Sequence, residues 1–187
     1  MYKLCKTEQS ARRQRQLEQG LLEMMKYHRF EEISVSDLCD RMNLPRKSFY
    51  RYFASKDGAL FALLDHTLME FYETGSLEGL RGGSPTEDLE RLFSFWKKHR
   101  DLIEAMQRSN LAGLLVERAV NLAKQEQLMP GYVQAWEDTL KDVAMSFAVC
   151  GLLSMVLQWH KEGYMIPTEK MAQAAVTMLS RPLIPYL

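Results

Sequence analysis

Cysteine is scarce in this chain. Cys5, Cys39 and Cys150 are the three in 187 residues, an odd number without a Cys-x-x-Cys spacing. That argues against a disulfide framework and a thiolate zinc site, and it suits a reducing cytosol. Histidine is scarce as well, and neither His99 nor His160 has a partner at metal-ligand spacing. No metal and no cofactor is expected. A Gly-rich phosphate loop after a strand, a Gly-x-Ser-x-Gly turn and a His-Glu-x-x-His helix are all missing, so no enzyme is expected. Alternating Val/Ile/Thr-rich segments bounded by hairpin turns are missing too, and with them any sheet. The N-terminus lacks the apolar stretch of a secretory signal. Residues 143–157 form a 15-residue run without a charge. A membrane span needs roughly 20, so no membrane partner is expected. Net charge is zero, from 24 basic and 24 acidic side chains.

What is present is helical periodicity. Residues 1–55 are read as one domain. Residues 56–187 are read as a second, with the helix from Lys56 joining the two. The first helix is predicted over about residues 10–27, with Leu17, Leu21, Leu22 and Met25 inward. Further helices are predicted over about 56–73, 86–99, 101–108, 111–126, 133–161 and 168–180, separated by Gly and Pro breaks. The fold class is all-α.

The neutral total hides an uneven distribution. Residues 1–58 carry 12 Lys/Arg against 8 Asp/Glu, and residues 59–187 carry 12 against 16. Between positions 41 and 56 there are five basic residues and no acidic one. A local basic patch on one helix can mark a nucleic-acid binder where overall charge cannot.

That patch lies in Ser34–Lys56, which reads as a helix, a tight turn and a second helix. Ser34 with Asp37 three residues on has the spacing of a capping box. Val35, Leu38, Cys39 and Met42 form one apolar face. Asn43 tolerates the left-handed conformation a tight turn needs. Pro45 suits the first position of the next helix. Phe49 and Phe53 face inward, leaving Arg46, Lys47, Ser48, Tyr50 and Arg51 outward. Ser55 caps the helix that begins at Lys56. A basic, aromatic second helix after such a turn is a helix-turn-helix suited to a major groove.

Residues 12–64 resemble the N-terminal domain of the TetR family of transcriptional regulators. The likeness rests on an Arg-rich first helix, on Phe30-x-x-Ile33-Ser34-Val35-x-x-Leu38, and on Phe49-Tyr50-x-Tyr52-Phe53-x-Ser55-Lys56-Asp57. The stretch Gly151–Gly163 is similar to regulators of the dihydroxyacetone-kinase type. The resemblance implies that Arg46, Lys47 and Ser48 reach base edges, a guanine being readable by Arg46 or Lys47. It implies phosphate contacts from Tyr50 and Lys56, with Ser34 and Ser36 adding backbone contacts and Arg51 on the same outer face. Tyr52 fits packing better than phosphate. Arg12, Arg13 and Arg15 fit either a solvated face or a phosphate-contacting turn. The family usually has Gly at position 43, and Ser or Thr at position 45, where Pro45 removes a hydroxyl.

The second domain offers two features. A helix apolar all round must be buried on every side. The charge-free run can meet that demand by facing a second copy. Ala148, Gly151, Leu152 and Met155, with Met171, Ala174, Ala175 and Met178 of the last helix, are the expected homodimer interface. Phe93, Trp96, Met106, Tyr132, Trp136, Phe147, Met155 and Trp159 are either plain core or the lining of a pocket for a small apolar effector.

The expectation is a cytoplasmic, homodimeric repressor of a near-palindromic double-stranded DNA operator. A small molecule or partner on the bundle would control it. The alternative is a DNA-binding interaction module run by a protein partner with no small-molecule pocket.

Overall fold

The computed structural model describes residues 2–3, 5, 7–73, 84–125 and 137–180. Among these, nine α-helices are present: α1 Glu8–Met25, α2 Val35–Arg41, α3 Arg46–Tyr50, α4 Lys56–Glu73, α5 Pro85–Lys98, α6 Arg100–Arg108, α7 Ala112–Gln125, α8 Asp138–Lys161 and α9 Thr168–Ser180. A 3-10 turn, Phe30–Glu32, precedes α2. No strand occurs among the described residues, only an isolated bridge between Tyr2 and Phe53. The all-α expectation holds.

Local chemistry sets the helix ends. Thr7 caps α1 by accepting from the Ser10 amide at 3.3 Å, so α1 begins two residues before the expected Ser10. Pro85 occupies the first turn of α5, where a missing amide costs nothing. Asn110 turns the chain between α6 and α7 at φ 56, while the Leu111 amide closes onto the Met106 carbonyl. Gly163 ends α8 at φ 65. The predicted start of α8 near Val133 is corrected to Asp138, because Glu137 is extended at ψ 147. Residues 133–136 lie outside the described residues.

Helix α4 forms the axis of the molecule. Ala59, Leu60, Ala62, Leu63, Leu64, Leu68 and Phe71 are all buried along it. It packs on α1 of the head and on α7 of the bundle. Leu17, Leu21, Leu22 and Met25 of α1 face inward as predicted. In the bundle, α5 lies along α9 and α7 along α8.

The α5–α9 pairing corrects two interface assignments. Met171 is 7% exposed and Ala175 0%. Both lie on the face of α9 turned to its own chain, so neither can meet a second copy. Only Ala174, half-buried, and Met178, 42% exposed, remain on the outer side. Along α8, Gly151 is exposed, and Ala148, Leu152 and Met155 are half-buried. By length and composition α8 would also pass as a membrane span, with mean hydropathy 1.7 over its best window.

Candidate nucleic-acid interface

The second helix of the head is held by its cap. The Ser34 hydroxyl accepts from the Asp37 amide at 3.1 Å and donates to the Asp37 carboxylate at 2.6 Å. That carboxylate also accepts from the Ser34 amide at 3.0 Å. The hydroxyl and then the amide of Ser34 hold the Asp37 carboxyl below its ordinary range. The capping box is therefore complete, and this corrects Ser34 as a phosphate donor. Its one proton is engaged, and a carboxylate stands beside it. Ser36 is half-buried in the first turn.

The turn follows from two residues. Asn43 sits at φ 51, and the Leu44 amide returns to the Cys39 carbonyl at 2.9 Å. Pro45 is extended at ψ 142 and caps α3, so the helix begins one residue later than predicted. Its carbonyl accepts from the Ser48 amide at 2.8 Å. We expect Asn43→Gly to be tolerated and Asn43→Val to cost about 1–2 kcal/mol, because a β-branched side chain collides with the backbone at positive φ. Chemical denaturation of both variants checks this. Equal stability of the two would show that the turn exerts no such demand.

Helix α3 is short, and one ring anchors it. Phe49 is fully buried and packs against Phe53 with centroids 5.1 Å apart. Tyr52 is buried beside them, as the packing reading expects. Arg46, Lys47, Tyr50 and Arg51 are exposed on the other side, Tyr50 by 52%, and Ser48 is half-buried.

The cations among them, like Arg41 at the end of α2, lack an ion-pair partner among the described residues. Elsewhere, arginines are mostly matched: Arg12 to Glu8, Arg29 to Glu31, Arg91 to Asp88, Arg108 to Glu104, Arg118 to Asp65. Arg15 lies 4.0 Å from Glu18, and Arg13 donates to Gln16. The arginines of the first helix are thus engaged along their own helix. Arg46, Lys47 and Arg51 make no ion pair among the described residues. Three unmatched cations and a phenol share one exposed surface. An anion can bind there without first breaking an ion pair.

Lys56 does not join them. Its ammonium donates to the carbonyls of Phe30 at 2.5 Å, Ile33 at 2.6 Å and Glu31 at 3.4 Å. It also lies 4.3 Å from the centre of the Phe30 ring. An ammonium has three donors, and here all three meet the 3-10 turn. The resemblance-based phosphate contact from Lys56 is corrected to a clamp between α4 and the turn before α2.

The proposed pocket residues divide three ways. Phe93, Trp96, Met106 and Trp159 are buried, with Phe93 edge-on to Trp159 at 5.7 Å, and Met155 is half-buried beside them. Phe147 is 66% exposed and turned away from that core, which removes it from any pocket within one chain. Tyr132 and Trp136 lie outside the described residues.

Residues 83–181, just over half of the chain, match the TetR C-terminal family model described as "Transcriptional regulator C-terminal region". No curated protein matches the chain. Among solved structures, the chain is similar to the fatty acid degradation regulator FadR from Bacillus halodurans, at TM-score 0.63 and 16% identity over 96% of this chain and 98% of that one. It is also similar to the dihydroxyacetone kinase operon activator DhaS, at TM-score 0.57 and 16% identity over 90% and 94%. A regulator from Bordetella parapertussis gives TM-score 0.54 and 17% identity over 93% and 97%. At such identities the structures speak for the fold alone.

Proposed function

The chain belongs to the TetR family of transcriptional regulators, and from that premise we propose a cytoplasmic homodimer that binds a near-palindromic double-stranded operator. The observation that carries the DNA reading is the exposed face of α3, with Arg46, Lys47 and Arg51 unmatched beside the Tyr50 phenol. Arg46 and Lys47 precede Tyr50 on the helix and are the base readers. Tyr50 and Arg51 hold phosphate. Two such helices would occupy successive major grooves about 34–36 Å apart.

Repression follows most simply, since a dimer seated on an operator denies it to other proteins. Control enters through α4, which belongs to both halves of the molecule. A small apolar effector among the bundle aromatics would shift α4 and with it the spacing of the heads.

The test begins with selection of a binding sequence from random duplex DNA. Arg46→Ala and Lys47→Ala are expected to relax sequence preference by about 1–3 kcal/mol at the contacted base. Tyr50→Phe and Arg51→Ala should weaken binding evenly across sequences. A parent chain that selects no sequence, or four variants that bind like the parent, would refute this reading.

A further inference from the structure

One cluster at the junction of head and bundle has no task in that reading. Asp65 of α4 accepts from two other segments. Arg118 of α7 grips both of its carboxylate oxygens through Nε and Nη2. Tyr2, ahead of α1, donates its hydroxyl to Oδ2 at 2.7 Å. The guanidinium also lies 4.9 Å from the centre of the Phe61 ring, one turn back along α4. Arg118 thus holds α4 by two residues on one face, in a forked geometry a lysine cannot reproduce.

Tyr2 is tied at its other side to the end of the recognition helix. Tyr2 and Phe53 form the antiparallel bridge, and the Lys3 amide donates to the Tyr52 carbonyl at 3.0 Å. Tyr52 and Phe53 follow the C-cap of α3, Arg51, and Phe53 packs on its anchor Phe49. The Tyr2 ring stands edge-on to His66 at 5.7 Å, and His66 in turn meets the buried Glu18 at 2.9 Å. Burial and then the Asp65 hydrogen bond raise the Tyr2 phenol to about 12. It therefore stays a donor at any working pH. A continuous series of contacts runs from α7 through Asp65 and Tyr2 to the residues that close α3. It is a route from bundle to head that does not require α4 to move as a whole.

We propose that the segment Tyr2–Lys3 is a strap that positions the recognition helix, and that Arg118, through Asp65, decides whether the strap is fastened. If α7 moves, the fork opens. Asp65 is left as a mostly buried carboxylate without its cation, a costly state it can leave only by turning toward water. Tyr2 then loses its aligned acceptor, and the end of α3 loses the strap. A coupling of this kind requires that both sites bias one two-state element, and the strap is the element proposed. The proposal rests on α3 being the reading helix, but its first readout does not.

The test uses the full chain with Tyr2→Phe, Arg118→Met, the double variant, and Arg118→Lys. Amide exchange is followed by NMR without DNA. Tyr2→Phe and Arg118→Met should each speed exchange of the Lys3 amide about tenfold or more, with the Leu64 amide unchanged. Arg118→Lys, which keeps charge but not the fork, should fall between. Each of the first two should lower affinity for the selected operator about fivefold, at temperatures where circular dichroism shows full folding. The double variant should be no weaker than either single one. Parental Lys3 protection in Arg118→Met would overturn the proposal, as would losses in affinity that simply add. A parent that binds no DNA but shows the exchange pattern would refute the function and leave the linkage intact.

Discussion

Gly151→Leu and Phe147→Glu are each expected to yield a folded monomer whose operator affinity is about 10²–10⁴-fold lower than the parent's. The expectation comes from what α8 leaves uncovered. Leu140, Val143 and Phe147 are 52%, 60% and 66% exposed, and Gly151, Ser154 and Gln158 continue the same stripe at helical spacing. Of the ten large hydrophobic residues exposed in the described chain, five lie on α8 and α9, so the apolar surface is concentrated there. Such a patch is a contact surface by default in a soluble protein. A Cβ placed on Gly151 meets nothing within 4 Å of its own chain. Leucine there costs the single chain nothing and gains helix propensity. It would, however, fill the space a second backbone needs. Glu at position 147 adds a charge that is harmless in water and costly in an apolar interface. One head retains only its own phosphate and base contacts, so the drop in affinity measures the benefit of tethering the second half-site. Sedimentation equilibrium and operator titration of both variants check this. Two variants that remain dimers with parental affinity would move the interface away from α8.

The same helices show what sequence can and cannot say. The period of 3.6 marks Met171, Ala174, Ala175 and Met178 as one stripe. It does not say what the stripe faces. The structure splits it, with Met171 and Ala175 turned to α5, and Ala174 and Met178 turned outward. The head is far more legible, because its signals are local. A cap and its partner are three residues apart, a left-handed turn needs Asn or Gly, and an anchor ring recurs four residues on. Ser34 with Asp37, Asn43, and Phe49 with Phe53 all stand where those rules put them. What escapes is every pairing made over distance. Asp65 and Arg118 are 53 residues apart, and Glu18 and His66 are 48 apart. No periodicity links them. Lys56 escapes for a different reason. Its partners are backbone carbonyls, which every residue has and which no sequence marks.

That reassignment gives the second large effect. Lys56→Met, which keeps most of the aliphatic stem, is expected to destabilise the chain by about 2–4 kcal/mol. The sum combines charge-assisted hydrogen bonds of about 1.5–3 kcal/mol with a cation–π interaction of about 0.5–1 kcal/mol. At this chain length the midpoint of thermal unfolding should fall by about 5–15 °C. The carbonyls of Phe30 and Ile33 lose their donor, and water can replace it only partly, because both residues are buried. The turn they form fixes the start of α2, since the Ser34 cap follows directly. The turn is tied to the bundle as well, through the Phe30 amide, which donates to the Ser109 hydroxyl at 2.9 Å. Loosening it frees the turn before α2 from both α4 and the end of α6. Operator affinity should therefore fall only as the head loses its shape. Salt separates the two roles of the lysine. Removing a cation that neutralises a phosphate lowers the slope of log affinity against log salt by about 0.9. Removing a clamp leaves that slope unchanged, and an unchanged slope is the expected result. A lower slope with parental thermal stability would return Lys56 to the DNA.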